Sequence, residues 1–149
     1  KSLNNGIFFN EVLINSNYVG EKIELSNSKL LNEKVGSLKL DYGNIYLEDN
    51  DIFFKGKFSF EIFDKKRFYR KFLVPKKNQK DLEKVYFGLI YNLSNFDTKI
   101  FFISLNKDKP EMNDNLDNLI YSFNNNSITV NNWISLRSFI NKILSSYPG

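Results

Sequence analysis

The sequence contains no histidine, no cysteine and no alanine. Without imidazole or thiolate ligands a structural zinc site is excluded, because zinc in such sites is held by these groups. The same absence excludes a cysteine nucleophile, a serine–histidine pair and a histidine general base, and it excludes a disulfide framework. Carboxylates, lysine and tyrosine remain as acid–base groups, but the acidic residues at 48–51 fit a hairpin turn, and residues 113–124 lack the glycine and the final glutamate of a calcium loop. We therefore expect a protein without a metal site, without a cofactor and without catalytic residues.

Glycine is also scarce, with 7 residues scattered along the chain. None of them forms a phosphate-binding loop or the turn that carries a serine nucleophile in α/β-hydrolases. No apolar run reaches membrane length, and no signal peptide is recognisable. Because the chain starts at Lys1 and shows no anchor, we expect residues 1–149 to be a single β-rich domain that is a fragment of a longer polypeptide, and the resemblance described below implies its C-terminal end.

Aromatic residues are abundant instead, with 15 Phe and 8 Tyr, and many of them alternate with polar residues. The alternation is clearest at residues 54–62 and 85–93, where every second residue is apolar, aromatic or glycine. A period of two is typical of a β-strand with one buried face. Residues 100–105 are apolar on both faces, which predicts a central strand.

Turn-forming residues separate these runs and predict short hairpin loops at residues 41–44, 48–51 and 94–97. The predicted strands are residues 7–14, 22–26, 36–41, 44–48, 52–62, 85–93, 98–105 and 118–123. Residues 106–117 are polar and are predicted to form a loop.

Two helices are expected in addition to the strands. Asp64 can cap a short helix that ends before Pro75, and a further helical turn is expected near residues 78–82. From Trp133 to Tyr147, apolar residues recur every three or four positions after a cap at Asn131 or Asn132. The fold class is therefore mainly β (α+β): an antiparallel β-meander or open curved sheet with a short mid-chain helix and a C-terminal amphipathic helix.

Positive charge is concentrated in one segment, although the net charge is only +4. The cationic residues of this segment are Lys65, Lys66, Arg67, Arg70, Lys71, Lys76, Lys77 and Lys80. One interpretation is a solvated surface, and the other is contact with anionic lipid headgroups or nucleic acid. Phe68 and Phe72 lie within the run at helical spacing, which favours packing of their rings in the core over stacking on bases.

Residues 36–149 carry these patterns in a distinctive order. A K-G-K-F strand leads into the aromatic helix after Asp64, the basic stretch 74–84 follows, then the strand 85–93 and finally the helix ending in Tyr-Pro-Gly. In this order the chain resembles the C-terminal region of AsmA-like envelope proteins from low-GC marine α-proteobacteria. The resemblance implies repeated strands that form a long groove with an apolar lining. It also implies a part in outer-membrane biogenesis or lipid transport, and it transfers no catalytic residue.

The alternating strands predict an apolar sheet face that contacts lipid or a partner. The resemblance implies that the chain is a non-enzymatic cell-envelope module and that this face contacts phospholipid or the envelope membrane. The candidate lipid-binding residues are Phe58, Phe60, Ile62, Phe87 and Leu89, and the candidate headgroup-binding residues are Lys65, Lys66, Arg67, Arg70 and Lys71. The resemblance implies a periplasmic location, with an inner-membrane anchor outside this chain. The alternative function is a basic, aromatic module associated with nucleic acid, such as a ribosomal accessory protein, and nucleic acid ranks second as a partner.

Overall fold

The computed structural model describes residues 9–106, 113–126, 130 and 132–147. The described residues form an antiparallel sheet of eight strands and three α-helices, which confirms the prediction of a mainly β fold. The strands are β1 (Glu11–Leu13), β2 (Ser16–Val19), β3 (Lys22–Leu25), β4 (Ser28–Asn32), β5 (Gly36–Glu48), β6 (Asp51–Ile62), β7 (Lys84–Asn92) and β8 (Thr98–Leu105). The helices are α1 (Lys65–Lys71), α2 (Asp114–Asn124) and α3 (Trp133–Ser146), and a 3₁₀ turn spans Lys76–Asn78.

The sheet is organised around the long strand β5. Its first half pairs with β4 and its second half pairs with β3, while its other edge pairs with β6. The strand order is β1-β4-β5-β6-β7-β8, with β2 paired to β3. At the break between β3 and β4, Asn27 adopts a left-handed conformation with φ 54°, and the backbone N–H of Asn15 donates to Ser28 Oγ at 3.0 Å. The meander is therefore continuous. Next to β5 the chain is split into β3 and β4, and next to these it is split into β1 and β2.

The two faces of the sheet differ because side chains alternate along each strand. We call one side the inner face. It carries the even-numbered residues of β6 from Phe54 to Ile62 together with their cross-strand neighbours, among them Phe87 and Leu89. The outer face carries the odd-numbered residues of β6, such as Lys55 and Lys57, with their own neighbours.

The helices pack on one end of the inner face. The buried core there consists of Val35, Ile62, Phe68, Tyr69, Phe72, Val74, Leu82, Ile100, Ile103, Leu105, Leu116, Leu119, Phe139, Ile143 and Leu144. The other end of this face, near the β5–β6 turn, lies outside that core. We call it the uncovered end, and it comprises Tyr18, Ile23, Ile45, Leu47, Ile52 and Phe54.

Each helix begins at a residue that caps it. The Asp64 side chain accepts a hydrogen bond from the backbone N–H of Arg67 at 2.9 Å, and Asn113 does the same for Leu116 at 3.2 Å. Asn132 and Ser135 bond each other's backbone N–H in a capping box. These contacts satisfy N–H groups that have no partner within the helix. The expected start of the mid-chain helix and one of the two expected starts of the C-terminal helix are thereby confirmed.

Several predicted elements are wrong in type or extent. Residues 36–41 and 44–48 form one strand, because a β-bulge between Leu40 and Tyr42 takes the place of the expected turn. Residues 118–123 lie in α2, and the last residues of the predicted loop 106–117 also belong to that helix. Part of that loop falls outside the described residues. Strands β2 and β4 were not predicted, and the helical turn near residue 80 lies earlier, at Lys76–Asn78.

The last residue of α2 also satisfies the edge of β8. Asn124 Oδ1 accepts from the backbone N–H of Ile100 at 2.8 Å, and Asn124 Nδ2 donates to the carbonyl of the same residue at 2.7 Å. The amide therefore pairs with this edge position as a neighbouring strand would. We expect Asn124→Ala to lower the free energy of unfolding by about 1–3 kcal/mol, because both backbone groups lose their partner.

Urea denaturation followed by circular dichroism measures this effect. Asn118→Ala is the matched control, since Asn118 is exposed in the middle of the same helix. The control should be neutral or slightly stabilising because alanine has the higher helix propensity. Equal stability of the two variants would contradict the role of Asn124.

Candidate functional site

The predicted lipid-binding residues all lie on the inner face. Phe58 pairs with Phe87 across β6 and β7, and their rings stack with centroids 5.1 Å apart. Leu89 pairs with Gly56 in the next inward-facing position. Phe60 and Ile62 continue the same face toward the helices. The prediction from the alternation that these five side chains share one face of the sheet is therefore confirmed.

Their accessibility differs along the strand. Ile62 is buried in the core, and Phe60 and Phe87 pack against that core. The Phe60 ring lies 5.8 Å from the ring of Phe68 in α1. A ligand could reach Ile62 only if the helices moved away, whereas Phe60 and Phe87 are half-buried and in contact with the core. Phe58 and Leu89 are half-buried and lie outside the core, so they border the uncovered end.

The most accessible apolar side chains of the inner face were not among the predicted residues. Leu47 is 68% exposed, Tyr18 is 77% exposed, and Ile23 and Ile52 are also exposed. Tyr18 and Ile23 face each other across β2 and β3, and Leu47 and Ile52 do so across β5 and β6. The alternation of Ile45 and Leu47 was visible in the sequence, but the strand that holds Tyr18 was not recognised. Exposed apolar side chains of the inner face thus lie at the uncovered end, and Val12 of β1, which is 59% exposed, adds one at the margin of the sheet in the row of Phe60.

Two glycines shape the middle of this face. Gly43 and Gly56 pair directly across β5 and β6. A Cβ added at Gly56 would lie 2.5 Å from Phe54 Cζ and 3.0 Å from Phe58 Cε2, so both rings occupy the space over this glycine. The glycines therefore leave room for the rings of Phe54 and Phe58 close to the backbone of the sheet.

The outer face is polar and aromatic. Lys55 Nζ lies 5.6 Å from the ring centroid of Phe101, and Lys57 Nζ lies 5.4 Å from that of Phe102. Such contacts let lysine cover an aromatic ring with its chain while its charge stays in water. Phe102 and Ser104 on this face are buried, but neither belongs to the helix-covered core cluster.

The aromatic residues of the basic segment are buried. Phe68, Tyr69 and Phe72 belong to the core, and the Tyr69 hydroxyl donates to the backbone carbonyl of Lys80. Their rings cannot stack on bases while the helices stay packed. The interpretation that these rings pack beneath the charges is therefore confirmed.

The predicted headgroup-binding cations fall into two groups. Lys65 is engaged by Asp81, and Glu83 lies 3.9 Å away. Lys66 is exposed and does not line the pocket described next. Arg67, Arg70 and Lys71 point to the same surface, although Arg67 Nε also pairs with Asp64 Oδ2 at 3.0 Å.

That surface is a pocket of about 430 Å³, which we call the basic pocket. It lies where α1, α3 and the β4–β5 turn meet. Its lining residues are Asn32, Lys34, Val35, Arg67, Arg70, Lys71, Trp133 and Arg137. Sequence reasoning missed Lys34 and Arg137 because neither belongs to the basic run, and Lys66 and Lys65 were included only because they do.

Asp64, Lys65 and Tyr69 have shifted pKa values, and each shift has a structural cause. The hydrogen bond from the backbone N–H of Arg67 is the main cause that lowers the pKa of Asp64, as expected for a helix cap. The hydrogen bond to Asp81 raises the pKa of Lys65, and burial raises the pKa of Tyr69. Within the described ranges no group of three or more acidic, His or Cys residues could hold a metal ion, and no helix is long and apolar enough to cross a membrane.

The two phenylalanines that flank the start of α1 test the burial of the aromatic segment. Phe68 is 3% exposed, and we expect Phe68→Ala to lower the free energy of unfolding by about 3–5 kcal/mol. Phe63 is 50% exposed, so Phe63→Ala should cost far less in the same urea titration. A comparable loss in both variants would show that the rings of the basic segment are not core residues.

Comparison with protein-family models, with curated proteins and with solved structures found no match to this chain. The resemblance of residues 36–149 to AsmA-like proteins therefore stays a prediction from the order of the sequence patterns. The uncovered end of the inner face and the basic pocket are the two candidate functional surfaces.

Proposed function

We propose that this chain is a non-enzymatic cell-envelope module that binds lipid through the uncovered end of its inner face. One observation carries the proposal: Tyr18, Ile23, Leu47 and Ile52 are exposed together at this end, beyond the reach of the core. Exposed apolar surface that is contiguous marks a contact with a partner or with lipid. The AsmA-like resemblance adds outer-membrane biogenesis or lipid transport as the process.

The mechanism would be passive. An acyl chain lying along the sheet would cover Leu47 and Ile52 and reach the half-buried rings of Phe54 and Phe58. Each Å² of apolar area removed from water contributes about 25 cal/mol, so affinity would scale with the length of chain that is covered. In this proposal the ligand is a phospholipid or the envelope membrane, and the anchor that holds the module in the periplasm lies outside this chain.

The nucleic-acid alternative now has a different surface from the one that the sequence suggested. The basic segment cannot offer its buried rings, but the outer face exposes Tyr42 and Phe101 among lysines such as Lys55. Aromatic side chains next to cations can stack single-stranded bases. Binding of this kind would weaken steeply with added salt, whereas apolar lipid binding would not.

Replacement of two exposed residues tests the lipid proposal. We expect the double variant Ile23→Ser/Leu47→Ser to bind phosphatidylcholine vesicles about ten-fold more weakly, because two apolar side chains leave the contact surface. Phe60→Asp is a poorer test, since Phe60 packs against the core and its replacement would unfold the helix-covered end. Vesicle co-flotation at two salt concentrations measures the affinity and its salt dependence.

The matched control is Leu13→Ser/Val19→Ser. Both residues are about as exposed as Ile23 and Leu47, but they lie on the outer face. The control should bind vesicles like the unmodified chain. Equal loss in both variants, or binding that disappears at high salt, would contradict the proposal.

A further inference from the structure

We infer that the basic pocket is a binding site for a group that carries two or more phosphates. The inference does not rest on lipid binding by the uncovered end. The pocket lies beyond Ile62, eight residues along β6 from Phe54, which is about 26 Å at the rise of an extended strand. The two surfaces can therefore be tested separately.

The charge of the pocket is the first argument. Five of its eight lining residues are cationic: Lys34, Arg67, Arg70, Lys71 and Arg137. Among the described residues only Arg67 of these five has a carboxylate within 4 Å, that of Asp64. Five positive charges and one negative charge leave an excess of four. Like charges held this close repel one another, and an anion in the pocket would relieve that repulsion.

The second argument is that packing fixes the backbone positions from which the cations extend. Arg67, Arg70 and Lys71 lie at helical spacing on α1, and Arg137 lies one turn after Trp133 on α3. The ring of Trp133 packs on that of Phe72 with centroids 5.2 Å apart, and this contact joins the two helices.

Two hydrogen bonds to backbone carbonyls connect α1, α3 and the β4–β5 turn. Asn141 Nδ2 donates to the carbonyl of Phe72 at 2.9 Å, which links α3 to the end of α1. The carbonyl of Val35 accepts from the backbone N–H of Phe63 at 3.0 Å, which links the β4–β5 turn to the start of α1. The pocket is therefore assembled by the fold, with Lys34 and Arg137 brought to a helix that is distant from both in sequence.

The type of anion follows from the side chains and the space. Three of the cations are arginines, whose planar guanidinium groups match phosphate oxygens through paired hydrogen bonds. A volume of about 430 Å³ exceeds what one small anion needs and lies within the range of small-molecule sites. A diphosphate or a phosphorylated headgroup fits both the charge and the volume.

A nucleic acid fits the pocket less well. The ring of Trp133, the pocket's aromatic residue, already packs on Phe72, and Lys71 Nζ lies 5.6 Å from its centroid. Stacking of a base on this ring would have to displace those contacts. The pocket is also confined to one corner of the fold, where α1, α3 and the β4–β5 turn meet.

Calorimetric titration with inorganic pyrophosphate tests the site. The pocket variant is Arg70→Gln/Arg137→Gln, and the control is Lys76→Gln/Lys77→Gln, which removes the same charge from an exposed turn outside the pocket. We expect the pocket variant to bind about ten-fold more weakly or worse and the control to bind like the unmodified chain. Absence of pyrophosphate binding by the unmodified chain, or equal loss in both variants, would overturn the inference.

Two further arms identify the source of the phosphates and separate this site from the proposed function. If the natural ligand is a lipid headgroup, pyrophosphate should compete with cardiolipin, whose headgroup carries two phosphates, in phosphatidylcholine vesicles. If the ligand is soluble, pyrophosphate should bind and cardiolipin should have no effect. Both results support the site. The Ile23→Ser/Leu47→Ser variant should keep its pyrophosphate affinity. Tighter binding of a single-stranded oligonucleotide than of pyrophosphate, lost in the pocket variant, would overturn the inference in favour of nucleic acid.

Discussion

The pairing of β5 with β6 fixes the position of every surface considered above. The two strands run together from Gly36↔Ile62 to Glu48↔Asp51, through one bulge and the facing glycines Gly43 and Gly56. Because side chains alternate, a slip of one residue would move Phe54, Phe58 and Phe60 to the other face. The same register sets the helix-covered end at Ile62 and the uncovered end at the turn.

Burial by the helices then divides the inner face by distance along the strands. Phe60 and Phe87 stabilise the core, while Phe58 and Leu89 lie at its border and Leu47 and Ile52 are exposed. The same hydrophobic pattern therefore has two physical roles within one strand pair. The basic pocket belongs to the covered end, because it is formed by the elements that cover it.

Much of this architecture could be predicted from local pattern. Strands β6 and β7 were found by their period of two, and α3 by its apolar spacing and its cap at Asn132. Strand β8 was found by its run of apolar residues on both faces, but the prediction that it is a central strand was wrong, because it lies at the edge of the sheet and α2 packs against it. The bulge after Leu40 was taken for a turn because Asp, Tyr, Gly and Asn are also turn residues. Residues 118–123 were predicted as a strand because a short apolar segment fits both periods, and the cap at Asn113 was the signal that was missed.

The functional surfaces were less predictable, since they depend on which elements meet. A run of basic residues can be read from the sequence. The lining of the pocket cannot, because it includes Lys34 and Arg137 from distant parts of the chain and does not include Lys66. Likewise, alternation identifies the face on which Phe60 lies but not the helix that covers it. Only the fold shows which of two equivalent side chains water can reach.

The hydrogen bonds between Asn124 and Ile100 make the two edges of the sheet different. The backbone N–H and carbonyl of Ile100 are both hydrogen-bonded to Asn124, so β8 cannot pair with a further strand through this residue. Among the described residues β1 and β2 have a strand on one side only, and Val12, Ile14 and Val19 are exposed there. A strand that paired along β8 would therefore have to displace the Asn124 amide at Ile100, and the β1–β2 margin is the other edge to which a strand could add.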